Sequence, residues 1–337
     1  MKSIGIDLHK RIIVACVMND KREIVSEKKF RNDQREEMKS YFKSFQPFQA
    51  AFEATAAYDW FYELLTPLAK RVAIAHPKRL RIIAESKKKS DKVDAQVLAQ
   101  FLALDILPES HCPSPFMKGY RELVRFRCQM QSRITSIKNR IRNILSRSNQ
   151  DRKDLFSREG RAWLTHVKLK ETARFQIDRL LEELALFETH KKETEEKIRA
   201  YTKKAPARVT EALALVRTIP GVGEITADVV VSELGDVNRF PSQKDVCSYA
   251  GLAPGRRQTA EREINLPITK EGSRLLRWIL VEAAWNAVRY SQKWERMYTT
   301  LCERTRNPNK AIVAVARKLL CVIYALLRDG RPYCATV

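Results

Sequence analysis

Apolar and polar positions alternate along SIGIDLH, RIIVACVM is an apolar run of strand length, and with EIVSEKKF they read as three consecutive strands within residues 2–30. Short turns at His9-Lys10 and at Asn19-Asp20-Lys21 join them as an antiparallel meander. A polar helical stretch from about Asp33 to Phe45 follows, then the strand QAAFEAT and the amphipathic helix YDWFYELLTPLAK. RVAIAH reads as a fifth strand, and a further helix opens at Asp91 within KSDKVDAQVLAQFLA. Meander strands followed by alternating strands and helices predict a mixed α/β sheet over residues 1–115.

From about Lys118 the period changes to that of a helix. Leu123, Met130, Ile137 and Ile144 recur every seven residues, flanked by Ile134 and Ile141. Ile177, Leu184 and Ile198 keep one heptad position, with Leu180, Phe187 and Tyr201 at its partner; Lys191 and Thr194 break that seam. Residues 116–205 are therefore expected to form a helical hairpin or coiled coil that joins domains or pairs protomers. Residues 206–337 read as mostly α-helical, with AWNAVRYSQKWERMY and KAIVAVARKLLCVIYALL the strongest amphipathic stretches and prolines punctuating the loops.

Charge sharpens this picture. The 337 residues carry 63 Lys and Arg against 40 Asp and Glu, a net charge of +23, which favours a polyanionic partner such as nucleic acid. The first long helix is the most biased part: nine basic residues lie between Lys118 and Arg147 beside one acid, Glu122. Arg121, Arg125, Arg133, Lys138, Arg140 and Arg142 are read as contacts to a nucleic-acid backbone. Seven scattered cysteines without a CxxC pair suit a reducing cytoplasm and argue against a structural zinc site. No apolar run is long enough to span a bilayer, so no membrane partner is expected.

Acids within apolar strands mark the candidate chemistry. Asp7 interrupts SIGIDLH and Glu53 interrupts QAAFEAT, and burying an unpaired carboxylate costs several kcal/mol. Asp91 and Asp94 stand one turn apart on a single helix face. Ser90 as a cap, with acids suiting the helix's positive end, accounts for the pair locally. If that helix packs at the ends of the two strands, however, all four carboxylates converge and require neutralising. Two magnesium ions, hard cations that prefer oxygen ligands, meet that need and serve phosphodiester chemistry. Lys87, Lys88, Lys89 and Lys92 would then hold a DNA backbone beside them. In IPGVG, Gly221 and Gly223 either let the backbone approach a phosphate, as in a helix-hairpin-helix contact, or form a plain interhelical turn.

The order IGID, FEAT and KSDKVDAQVLA resembles the DEDD transposases of bacterial insertion sequences. The likeness extends through IPGVGEITADVVVSELGD, RFPSQKDVCSYAGLAPG and ITKEGSRLLRWILVEAA, nearly the whole chain. It implies a RuvC-like N-terminal domain of ribonuclease H fold over 1–115 and a C-terminal transposase domain over 206–337. It also implies a magnesium site of Asp7, Glu53, Asp91 and Asp94, a homo-oligomer (dimer or tetramer) acting on DNA, and guidance by a structured RNA. The family's serine nucleophile lies in the loop that matches GRRQTAEREINLPITKEG; here Thr259, followed by Ala260, takes its place. Threonine keeps the hydroxyl but adds a methyl that crowds in-line attack. Arg256 and Arg257 are placed to clamp the phosphate. Two rival readings remain: a RuvC-like structure-specific nuclease that uses water, and a catalytically impaired DNA- or RNA-binding relative.

Overall fold

The computed structural model describes residues 1–54, 58–83, 91–259 and 262–334, and the expected strands of the N-terminal part form one five-stranded sheet within it. Its strands are β1 (Lys2–Leu8), β2 (Ile12–Met18), β3 (Ile24–Arg31), β4 (Phe48–Glu53) and β5 (Arg71–Ala75), in the order β3-β2-β1-β4-β5. The first three run antiparallel as a meander; β4 and β5 add parallel to β1. Between them lie helices α1 (Arg35–Lys43) and α2 (Asp59–Leu65); α3 (Pro77–Ile83) and α4 (Asp91–Ala103) follow β5. Helix α3 was not expected: PKRLRII is short and basic, and it has no polar face distinct from an apolar one.

The two sheet faces bury different partners. Ile4, Ile6, Phe48 and Phe52 point to the side covered by Met38 and Phe42 of α1 and by Phe61 and Leu65 of α2. The opposite side is covered by α4, whose Ala95 and Ala99 meet Cys16, while Leu98 and Leu102 meet Ala51 and Ala73. Each such fully buried Leu or Ile contributes about 1.5–3 kcal/mol. Gly5 sits where α4 crosses β1, so close that a Cβ there would overlap the backbone of Ala95 and Ala99. The small residues Gly5, Ala95 and Ala99 thus set the depth at which α4 lies on the sheet.

The chain divides into two units, Met1–Cys112 and Pro113–Val337. The second is built on α5 (Pro115–Arg147), α6 (Arg158–His166) and α7 (Glu171–Thr202), then α8 (Ala207–Arg217), α9 (Glu224–Leu234) and α10 (Gln243–Tyr249). The strands β6 (Pro254–Thr259) and β7 (Arg262–Ile268) pair antiparallel, and α11 (Arg274–Tyr290), α12 (Gln292–Thr305) and α13 (Pro308–Asp329) end the chain. The β6–β7 hairpin falls in a segment expected as a loop; PGRRQT gives no apolar alternation to read, and although Ile264, Leu266 and Ile268 alternate in REINLPI, Pro267 within that run argues against a strand. Ser114 starts α5 by accepting from Met117 N–H at 3.3 Å, with Pro115 in the first turn.

Helices α5 and α7 pack on each other. Ile134, Ile137, Ile141 and Leu145 meet Ile177, Leu180 and Leu184, together with Leu164 of α6. The heptad positions expected to pair protomers are therefore covered within the chain, and that seam is not a free oligomer interface. Nearer its start, α5 contributes Met117, Tyr120 and Val124 to the core formed with Ile198 of α7 and α8–α13. The stretches 116–205 and 206–337 share this core. Among the described residues, no helix is long and apolar enough to cross a membrane.

Replacing Gly5 with alanine forces β1 and α4 apart against rigid backbone. The expected loss is about 3 kcal/mol, the upper part of the overpacking range, read as a lowered melting temperature of the full chain.

Candidate metal centre and nucleic-acid contacts

The site grows from the alternation of β1. Ile4 and Ile6 face α1 and α2, so Gly5 and Asp7 face the α4 side. Because β1 and β4 are parallel with Ile6 opposite Phe52, Asp7 and Glu53 are the next positions along and lie side by side at the strand ends. The first turn of α4 brings Asp91 and Asp94 to the same end of the sheet.

A fifth residue enters that the sequence pattern did not single out. His9 Nε2 lies 2.8 Å from Asp7 Oδ2 and 3.3 Å from Asp91 Oδ1. One donor atom each from Asp7, His9 and Asp91 fall within 4.8 Å of one another, an arrangement able to hold a cation. In the sequence His9 is marked only by lying two residues beyond Asp7, in the turn just past β1. Its turn is pinned: His9 N–H donates to Ile12 O at 3.0 Å, and Asn32 Nδ2 donates to the carbonyls of His9 and Lys10 at 3.1 and 3.0 Å.

Burial, and then the negative fields of Asp91 and Asp94, push the Asp7 carboxyl above its ordinary range, while His9 opposes them. Asp7 is the sheltered member, with 15% of its side chain exposed against 53% for Asp91. The fold therefore gathers carboxylates that disfavour one another's charge, and an oxygen-rich set of this kind fits a hard divalent cation. Glu53, half-buried on β4, and Asp94 flank the three-residue cluster without belonging to it.

The basic residues expected to touch nucleic acid divide into two groups. Arg125 pairs both oxygens of the buried Glu233, at 2.6 and 3.0 Å, and Arg121 donates to the carbonyls of Ser232 and Glu233 at the end of α9. Arg142 holds Asp151 and the carbonyls of Arg152 and Lys153; Lys138 lies over the Phe156 ring and 3.7 Å from Glu188. Arg133 stacks on Phe187, and Lys92 pairs with Glu27 at 2.6 Å. These side chains organise the protein itself. Arg140 stays exposed on α5.

Lys87, Lys88 and Lys89 lie outside the described residues. Thr259 ends β6, and Arg256 and Arg257 precede it on the same strand, paired in register with Asn265 and Ile264. Gly221, at φ +83°, packs where a Cβ would meet the backbone of Asn286 and Ala287 on α11. Gly223 caps α9 in open space, but Glu224 already answers that helix's positive end.

Two family models match the chain. One, a transposase model of the DEDD type, matches residues 4–149; the other, described as the transposase IS116/IS110/IS902 family, matches residues 213–299. The chain is similar to the transposase for insertion sequence element IS1111A of Coxiella burnetii, 24% identical over 99% of this chain and 91% of that protein. It is likewise similar to a probable family 20 transposase of Pseudomonas aeruginosa, 23% identical over 99% of this chain and 98% of that one. A pilin gene-inverting protein of Moraxella bovis is 30% identical across 36% of this chain and 38% of its own length.

Asp7 ionises at a cost in the folded state. A raised carboxyl adds stability that is complete below its unfolded value near 3.8 and is lost as pH rises through the folded value. At neutral pH without divalent ions, Asp7→Asn should therefore melt no lower than the wild type. Added magnesium or manganese should raise the melting temperature of the wild type and not of Asp7→Asn, a contrast that differential scanning fluorimetry reads directly.

Proposed function

We infer that this chain, which belongs to the DEDD transposases of insertion sequences, cuts and rejoins DNA strands by phosphodiester transfer. The observation that carries this reading is the meeting of Asp7 and Asp91 where β1 ends and α4 begins, within the field of Asp94 and beside Glu53. The sheet order, with an antiparallel meander followed by two parallel strands, supports a RuvC-like domain of ribonuclease H fold over residues 1–115. The middle region 116–205 and the transposase domain 206–337 complete the proposed organisation, with α8 and α9 joined as a helix-hairpin-helix-like element.

Asp7, Glu53, Asp91 and Asp94 are proposed to hold two magnesium ions. When bound, such ions stabilise the attacking and leaving oxygens of an in-line displacement. The protein's own residues do the rest. His9 orients Asp7 and Asp91. The Thr259 hydroxyl gives up its proton and forms the new bond to phosphorus as the ester oxygen of the cut strand leaves and takes up a proton, giving a covalent protein–DNA link. A hydroxyl of the second strand then attacks that phosphorus, forming the new DNA ester as the threonine oxygen leaves and regains its proton. Arg256 and Arg257 hold the non-bridging phosphate oxygens. The extra methyl of threonine makes this attack slower than a serine would allow. DNA is the substrate, a structured RNA the proposed guide, and a homo-oligomer the working form; because α5 and α7 cover their own seam, protomers meet through another surface.

The test places the gene in its native flanking DNA in cells and sequences across the element's ends. Precise junctions should appear with the wild type, vanish with Asp94→Ala and with Thr259→Ala, and persist or rise with Thr259→Ser. Cleavage that survives Thr259→Ala with no trapped protein–DNA adduct would replace the threonine with water as nucleophile. Junctions unaffected by Asp94→Ala would sink the metal site.

A further inference from the structure

Helix α5 has a second face that neither its packing nor its ion pairs use. Ile134, Ile137, Ile141 and Leu145 form the stripe buried against α7. Half a turn away lie Ser136, Asn139, Arg140 and Asn143, all exposed, at spacings that align them along one side of the helix. From Leu123 to Gln150 the chain contains no acid at all. This stripe forms one wall of a cavity of about 1130 Å³, and the start of α11, with Arg274 and Trp278, forms the other. Arg125, at one end of the cavity, is held by Glu233, but Arg140 and Arg274 are exposed.

Trp278 is the second observation. Its side chain is 44% exposed at the rim, although a tryptophan is ordinarily among the most buried side chains of a core. The other exposed tryptophan of the same helix, Trp285, rests edge-on against Tyr298 at 5.3 Å, so its exposure has a packing reason. Trp278 has no aromatic-ring contact among the described residues, and it lines the groove.

The contents of the groove select its occupant. Cations without acids attract phosphates. Amides and hydroxyls in a row offer both donors and acceptors, which suits base edges and sugars rather than an apolar ligand. A free aromatic face suits a base that is not already stacked within a duplex. The volume exceeds the usual range for a small-molecule pocket, about 300–1,000 Å³, so one nucleotide would not fill it.

We propose that the groove between α5 and the start of α11 binds an unpaired nucleic-acid strand, with Trp278 stacking on a base and Arg140 and Arg274 holding the flanking phosphates. The inference does not depend on the metal centre: it would hold equally for a protein that binds and never cuts.

Labelled single strands of about 16 nucleotides, the upper site size of single-strand binding modules, serve as probes for the full chain in RNA and DNA versions, with a blunt DNA duplex alongside. Trp278→Ala should weaken single-strand binding by about tenfold, and Trp278→Phe should recover most of it. Quenching of tryptophan emission on binding should diminish with Trp278→Ala. Arg140→Glu combined with Arg274→Glu should flatten the dependence of affinity on salt by one to two counterions, about 0.7 in slope for each phosphate no longer neutralised. A weakening confined to one of the two strand chemistries identifies it as the occupant. Both substitutions lie on exposed positions, and unchanged melting would confirm that each variant folds. Wild-type affinity in both variants overturns the proposal. So does an equal weakening on the duplex with Trp278→Ala, because backbone attraction alone would then explain the binding.

Discussion

The contact of α4 with β1 at Gly5 governs the N-terminal unit. A helix held this near the sheet delivers its first turn to the place where β1 ends, and so Asp91 arrives beside Asp7 although 84 residues separate them in the chain. Any side chain at position 5 would lift the helix and carry Asp91 away. Geometry at this scale decides chemistry, because a displacement of about 1 Å is enough to spoil a reacting arrangement. The site is thus positioned by backbone packing between small residues, with the sheet as the fixed part and the start of α4 as the part that is set upon it.

Charge is distributed with comparable economy. A surplus of 23 positive charges suggests a surface given over to polyanions, yet much of α5's basicity is turned inward. Arg125 meets the carboxylate of Glu233 with both ends of its fork, and leaving that buried acid unpaired would be strongly destabilising. Arg127 donates twice to Oε1 of Glu195 on α7, and Arg161 of α6 meets both oxygens of Glu188 on α7. Net charge therefore overstates the surface available to nucleic acid. What remains for a partner is narrower and is defined by where acids are missing.

Much of the fold was legible because its signals are local. Alternation in SIGIDLH and the short apolar run of RIIVACVM marked strands within residues 2–30, and the heptads marked α5 and α7, each within one turn or one pleat of its neighbours. The hairpin β6–β7 escaped, since GRRQT carries no apolar residue and Pro267 interrupts the alternation of Ile264, Leu266 and Ile268 in its partner strand. Asp7 and Glu53 stood out as acids where apolar residues belong, but His9 did not, because a histidine at a turn breaks no rule. Its role depends on Asp91, which comes from a distant segment, and no spacing along the chain announces that contact. The groove beside Trp278 was hidden for the same reason: its two walls are far apart in sequence, and each alone reads as an ordinary helix surface.

The cluster at Asp7 also explains why such a site must be built on something rigid. Carboxylates brought together without a cation raise one another's energy, and a loose scaffold would relieve that by moving apart. Here three constraints prevent the escape. Asp7 is fixed within a central strand bonded on both sides, His9 is held by the turn that Asn32 clasps, and α4 is set by Gly5. The repulsion therefore persists as stored instability, and a divalent cation gains affinity by removing it. A fold that breaks a local rule at Asp7 while satisfying packing around it is behaving as a functional site does, with stability given up where chemistry requires it.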